Sequence, residues 1–223
     1  MLFRVAETQR ADEHAQMIQV YKVATNKSIL DLSYNSYLDK MTIIIVSYLE
    51  KVNGKSVSVR SHMDIPTFRA VANEIKQGTF PVTFPATAAY PNVHQFLQMK
   101  GSPSTKRKSG FEARHLQILF HNDSADRKYP WSFKIKQGEG GSIGQKSQDG
   151  RSAVKLLTDK PVEQAEISLS TLSAKELAGA GLDFILAKEI AEHIKADSFG
   201  NNVATIRNTR QAQGGKQLDE APF

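Results

Sequence analysis

The sequence has no cysteine, and its 223 residues include no long apolar run. The absence of thiols excludes disulfide frameworks, thiol catalysis and zinc knuckles. The longest apolar candidate, Ile43 to Val46, is strand-sized, whereas a transmembrane helix needs about 20 apolar residues. Met1 to Arg10 also lacks the apolar centre of a secretory signal. We therefore expect a cytoplasmic protein with no membrane partner.

Patterns typical of catalysis and cofactor binding are also sparse. The glycines between residues 138 and 144 do not have the GxGxxG spacing, and no helix is predicted after them. His115 and His121 share one predicted strand face, but no third ligand lies at a compact spacing. The sequence therefore predicts no enzyme, no cofactor and no metal. A metal-dependent nuclease around these two histidines is an alternative.

Acidic residues are outnumbered, with 23 Asp and Glu against 29 Lys and Arg, which gives a net charge of +6 and a sequence pI near 9.4. From Asp197 to Phe223 the cations and carboxylates cancel, so the excess belongs to the preceding residues. A basic body favours polyanions such as nucleic acid or anionic lipid. The alternative is a basic soluble protein without such a ligand.

Hydrophobic periodicity predicts strands followed by a helix, and this order occurs twice. In the first half, residues 17–78, Asn53-Gly54 predicts a hairpin turn, and Asp64, Pro66 and Gly78 predict the ends of a helix. The predicted strands are Met17–Thr25, a segment around Leu30–Leu38, Met41–Glu50 and Lys55–Met63.

The second half, residues 113–196, repeats this order with strands at Arg114–His121, Tyr129–Gln137, Ser152–Thr158 and Gln164–Ser170. A helix follows to about Ala196, with a break expected before Asp183 because Gly179 and Gly181 disfavour a helix interior. The fold class is thus α+β, with two repeated units of a four-strand antiparallel sheet plus a helix. Residues 79–103 and 138–150 are predicted as loops. Residues 1–196 form the predicted binding domain, and 197–223 a flexible tail.

Alternation along the strands predicts a basic sheet face that is almost free of carboxylates. Lys134 and Lys136 fall on one side of their strand, and Glu166 is the exception, on an expected edge strand. Cations on such a face can follow a phosphate backbone. A solvated sheet face is the alternative. The candidate residues from the other strands are Arg60, His62 and His115.

Aromatic residues and loop cations extend the candidate set. Tyr129 and Trp131 could stack on unpaired bases, although strand aromatics such as Trp131 commonly belong to a core. The loop aromatics Phe80, Phe84 and Tyr90 could cover one end of the sheet or mediate subunit contacts. Phosphate contacts are predicted for the loop cations Lys106, Arg107 and Lys108, with Arg114, Arg127 and Lys128 as neighbours.

The last residues read Leu218-Asp219-Glu220-Ala221-Pro222-Phe223. This acidic Pro-Phe end resembles the C-terminal tip of bacterial single-stranded DNA-binding proteins. The resemblance implies a hook for replication, recombination and repair proteins, in which Phe223 enters an apolar pocket and Asp219 and Glu220 meet a basic rim. Pro222 completes the matching residues.

The order of elements from about Met17 to Ala196 resembles the Whirly/PC4-like group of single-stranded DNA binders, which repeat a four-strand sheet followed by a helix. That resemblance implies the fold, the ligand class and a homo-oligomer, but no individual binding residue. The sequence hypothesis is therefore a non-enzymatic, largely sequence-independent single-stranded DNA-binding protein that coats and protects strands, encoded by a bacterium, phage or mobile element. The alternatives are an RNA-binding or transcription-regulating protein on the same fold and a structural protein with a basic face.

Overall fold

The computed structural model describes residues 17–52, 55–105, 107–122, 127–146, 152–157 and 162–214. The strands are β1 Met17–Ala24, β2 Ser28–Asn35, β3 Lys40–Val52, β4 Lys55–Asp64, β5 Ala86–Thr87, β6 Tyr90–Pro103, β7 Phe111–His121, β8 Trp131–Lys146, β9 Ser152–Leu156 and β10 Val162–Leu169. The helices are α1 Ile65–Gln77, α2 Phe80–Thr83 and α3 Thr171–Gly214.

All strand pairs are antiparallel, and they form two sheets. Sheet A has four strands in the order β1-β2-β3-β4, and sheet B has six strands in the order β10-β8-β7-β6-β5, with β9 paired to β8. The α+β class with two antiparallel sheets is therefore confirmed. β10 lies at the end of this order, which confirms the edge position expected for Glu166.

The first half agrees closely with the sequence prediction. Pro66 lies in the first turn of α1, and Gly78 ends the helix with φ 80°, a left-handed conformation that glycine adopts without strain. The buried stripe of α1 consists of Phe68, Val71, Ala72 and Ile75. Asp64 precedes the helix but makes no side-chain cap. Its carboxylate instead pairs with the Nζ atoms of Lys40 at 3.0 Å and Lys100 at 2.7 Å.

Two predicted loops contain strands. Residues 79–103 form α2, β5 and β6, because β6 pairs with β7 from Val93 to Pro103 and this pairing outweighs the proline content. Pro91 and Pro103 lie near the two ends of β6, where missing donors are tolerated. β8 continues through the predicted loop at residues 138–150 as far as Lys146, because Gly140 and Gly141 pair with β9. Sheet B therefore has more strands than predicted.

The core lies where the apolar faces of both sheets meet α1 and the first part of α3. Ile43 of sheet A and Phe133 of sheet B, together with Leu177 of α3, line one small interior space beside the α1 stripe. Burying large apolar side chains of this kind contributes about 1.5–3 kcal/mol each. The fully buried set includes Leu30, Leu32, Met41, Ile43, Ile45, Met63, Phe80, Leu116, Ile118, Phe133 and Ile135.

An aromatic cluster closes one end of sheet B. The ring of Phe80 lies 5.0 Å from that of Trp131, which lies 4.8 Å from that of Phe120. Phe84 extends the cluster at 4.7 Å from Phe80. The prediction that Phe80 and Phe84 cover one end of the sheet is thus confirmed, whereas Tyr90 is exposed.

The expected break in α3 before Asp183 is wrong, because the helix is continuous from Thr171 to Gly214. Gly181 lies against the side chains of Phe68 and Leu32, so its missing Cβ permits close packing. The helix also extends past its predicted end near Ala196, and no proline interrupts it.

The described residues up to Leu182 form one compact unit, and those from Asp183 form a second. In the second unit Lys188 and Glu192 form an ion pair at 2.8 Å across one helical turn. The apolar residues Leu186, Ile190 and Ile194, which follow one another at intervals of four residues, are exposed. No helix within the described residues is long and apolar enough to cross a membrane.

Candidate functional site

The structure distributes the predicted binding residues over three surfaces of the first unit rather than over one sheet face. Arg60 and His62 belong to β4 of sheet A, whereas His115, Lys134 and Lys136 belong to β7 and β8 of sheet B. The predicted common basic face is therefore wrong. Alternation within one strand identifies the residues that share a face of that strand. It does not show to which sheet the strand belongs or how the two sheets pack against each other.

The first surface is a groove, here called the cationic groove. Its cations are Arg60 from β4, Arg107 and Lys108 from the β6–β7 turn, and Arg114 from β7. Two carboxylates lie among them, so the lining has an excess of positive charge. The remaining lining residues are Ile44, Ser58, Ser102, Pro103, Ser104, Thr105, Gly110, Glu112, Gln137 and Glu163.

The β6–β7 turn positions its two cations at the groove through backbone hydrogen bonds. The N–H of Ser104 donates to the carbonyl of Gly110 at 2.9 Å, and the N–H of Gly110 donates to the carbonyl of Arg107 at 3.0 Å. Gly110 has φ 75°, which favours glycine there. Lys108 is exposed and, within the described part of the chain, forms no ion pair.

Glu112 connects two of the groove cations. Its Oε1 accepts hydrogen bonds from Arg107 Nη2 at 2.9 Å and Arg107 Nε at 3.2 Å, and its Oε2 accepts one from Arg114 Nη2. Gln137 Nε2 donates to Oε1 at 3.1 Å, and Gln137 Oε1 accepts from Arg114 Nε at 3.2 Å. Glu112 is buried, with 8 % of its surface exposed. This arrangement is called the Glu112 clamp.

His62 lies beside the groove, and the groove cations Arg60 and Arg114 affect its pKa. Burial is the largest cause that lowers the pKa of His62 to about 4, and the positive charges of Arg114, Arg60, Lys40 and Lys100 lower it further. The ring is thus uncharged at neutral pH, and its Nδ1 lies 2.8 Å from Thr42 Oγ1. His62 therefore adds no positive charge to the groove at that pH.

The second surface is the outer face of sheet B, where Lys136 pairs with His115 in the β7–β8 register and Lys134 pairs with Gln117. This face is not free of acids, because Lys134 Nζ forms an ion pair with Glu166 at 3.3 Å. Burial lowers the pKa of His115, and the charge of Lys136 lowers it further. Two half-exposed apolar side chains, Leu97 and Met99, lie on the same face.

The third surface is the β7–β8 connection, at the opposite end of β7 from the Glu112 clamp. Lys128 Nζ lies 5.4 Å from the ring centre of the half-exposed Tyr129, and Arg127 Nε donates to the Tyr129 carbonyl at 3.3 Å. Trp131 is 3 % exposed and packs in the aromatic cluster. Of the two interpretations of Trp131, the core one is confirmed, and a ring this buried does not stack on a base in this structure.

Several predicted residues lie outside the described residues: Lys106 of the loop run, and Asp219, Glu220, Pro222 and Phe223 of the tail. The sequence interpretation missed Glu112 and Gln137. Glu112 and Arg114 are two positions apart on β7 and therefore face the same side of the strand. This spacing of opposite charges could have indicated their contact from the sequence. The Gln137 partner becomes evident only from the Arg114–Gln137 register between β7 and β8.

Among the described residues, no group of three or more His, Asp or Glu side chains could hold a metal ion. Comparison with known proteins assigns neither a family nor a function to the chain. No protein-family model matches the chain, and no curated protein matches its sequence significantly.

Proposed function

We propose that this protein binds single-stranded DNA without catalysis and that the backbone phosphates lie in the cationic groove. The observation that carries the proposal is the convergence of Arg60, Arg107, Lys108 and Arg114 from two sheets and one turn. Cations gathered along a groove attract a polyanion and release its counterions, which makes binding independent of sequence.

The surface next to the groove suits unpaired bases. Ile44 pairs with Arg60 in the β3–β4 register, and Val46 and Ile29 lie on the same face of sheet A, all three half-buried. An aliphatic patch beside the cations can contact bases whose faces are not stacked in a duplex. No aromatic side chain lines the groove among the described residues, so aliphatic contact replaces the base stacking expected from the sequence.

The order of elements supports the finer fold assignment that we propose, a Whirly/PC4-like arrangement. Strands β1 to β4 are neighbours in sequence order and precede α1, while β6, β7, β8 and β10 are neighbours in sheet B and precede α3. In this interpretation β5 and β9 are additions to the second unit. Coating and protecting single strands during replication, recombination or repair is the role that such sequence-independent binding would serve.

The proposal predicts salt-dependent binding of oligo-dT, measured by fluorescence anisotropy. If the groove neutralises roughly two to four phosphates, the slope of log K against log salt is between about −1.4 and −2.8. No binding at low salt, or binding that salt does not weaken, would contradict the proposal. Oligo-U of the same length is the matched comparison, and a clear preference for it would instead indicate a reader of the 2′-hydroxyl group.

A further inference from the structure

We infer that Glu112 is a positioning residue, which holds Arg107 and Arg114 side by side so that the groove binds one DNA phosphate at a fixed point. The inference rests on the proposed function. It identifies the Glu112 clamp as the part of the groove that holds a phosphate in a fixed position. It also gives a carboxylate a supporting role in binding an anion, which charge alone would not predict.

The geometry of the Glu112 clamp supports this role. Arg107 donates to one oxygen of the Glu112 carboxylate and Arg114 to the other, so one planar group fixes both guanidinium groups as neighbours. Gln137 closes the arrangement by donating to Glu112 and accepting from Arg114. Because Glu112 is buried and its oxygens are occupied, it cannot turn toward solvent without breaking these bonds.

Both arginines keep donors for a ligand. A guanidinium group has five N–H donors, and in the described part of the chain each of these two uses only two for the clamp. A phosphate offers several acceptor oxygens and forms bidentate pairs with guanidinium groups. Glu112 offsets one of the two arginine charges, and the more exposed Glu163 lies 3.9 Å from Arg107 Nη2. The excess positive charge of the groove therefore comes from Arg60 and Lys108, whereas the two arginines contribute fixed donors. A phosphate is the ligand that matches those donors and that excess charge.

Glu112→Gln tests the inference, because positioning and simple electrostatics predict opposite results. If Glu112 only reduces the positive charge, its neutralisation tightens oligo-dT binding and makes the salt slope steeper. If Glu112 positions the arginines, the single amide oxygen of the new side chain can hold only one of them, because its NH2 group cannot accept from the other. The paired arrangement is then lost, and oligo-dT affinity at low salt falls roughly tenfold. Unchanged or tighter binding overturns the inference.

A double-mutant cycle separates positioning from general damage to the fold. We expect Arg107→Gln alone to weaken binding roughly tenfold, and Glu112→Gln added to it to produce little further loss, because the pair is already broken. Independent, additive losses would contradict the inference. Unfolding of each variant by denaturant, without DNA, verifies that the compared proteins are folded.

Gln137→Met provides a second test that leaves the buried carboxylate in place. It removes the bridge to Arg114 with a side chain of similar size, and we expect a loss of affinity of roughly threefold to fivefold. If Glu112→Gln does not fold, the test rests on Gln137→Met. An affinity of Gln137→Met for oligo-dT equal to that of the parent protein then overturns the inference. If the parent protein itself does not bind oligo-dT, the proposed function fails. If the parent binds and the clamp variants bind equally well, only the positioning role fails.

Discussion

Removing two groove cations, by Arg60→Gln with Lys108→Gln, is expected to weaken oligo-dT binding at low salt roughly 30- to 100-fold. The two residues come from different segments, β4 and the β6–β7 turn, and neither belongs to the Glu112 clamp. Each phosphate contact that is lost corresponds to about 1 to 1.4 kcal/mol, or nearly a factor of ten in affinity. The salt slope should also become shallower by about 1.4, since two fewer phosphates are neutralised.

The matched control removes the same number of positive charges away from the groove. Lys76 is exposed in the last turn of α1, and Lys128 is exposed in the β7–β8 connection. Lys76→Gln with Lys128→Gln should change affinity less than threefold and leave the salt slope nearly unchanged. An equal loss in the two double variants would show that net charge, rather than the groove, determines binding.

Adding one methyl group to α3 is expected to have opposite effects on stability at two glycines. A Cβ on Gly181 would lie 2.5 Å from Phe68 Cε1 and 3.1 Å from Leu32 Cδ2, so the buried ring must move. We expect Gly181→Ala to lower the free energy of unfolding by about 2 kcal/mol, because overpacking outweighs the gain in helix propensity. Among the described residues, a Cβ on Gly179 would meet no atom within 4 Å beyond the backbone of its own helix. We therefore expect Gly179→Ala to raise the free energy of unfolding by about 0.5 to 1 kcal/mol, because alanine favours the helix.

Both free energies come from urea unfolding extrapolated to water. The two variants are internal controls for each other, since the chemical change and the helix are the same. A gain in stability at both positions would mean that Phe68 does not pack against Gly181, and the described contact between α1, sheet A and α3 would be wrong.

The first half of the fold could be predicted from sequence because local signals agree there. Regular alternation in β4, the left-handed residue Gly78 and the apolar stripe of α1 each indicate the element that forms. The second half lacks this agreement. β6 contains two prolines and β8 several glycines, so each is stabilised by its neighbours in the sheet more than by its own sequence. Tertiary pairing outweighs local propensity in both strands.

The candidate site was predictable only in part, for the same reason. Arg107, Lys108 and Arg114 were identified as neighbours because they are close in the chain. That Arg60 lines the same groove depends on how sheet A meets sheet B, which alternation cannot specify. Trp131 was ambiguous in the sequence because a strand aromatic can face either side, and only its contacts with Phe80 and Phe120 place it in the core.

The most direct test of the central claim is the pKa of the His62 ring, measured by NMR with and without oligo-dT. In the free protein, burial and four nearby cations lower this pKa to about 4. Phosphates in the groove offset part of that positive potential, so the pKa of His62 should rise in the complex. By linkage, affinity should then increase as pH falls toward that raised pKa. His115, on the outer face of sheet B, is the internal control, and its pKa should not change. A change at His115 with none at His62 would contradict the account, because the DNA would then lie on the other face of sheet B.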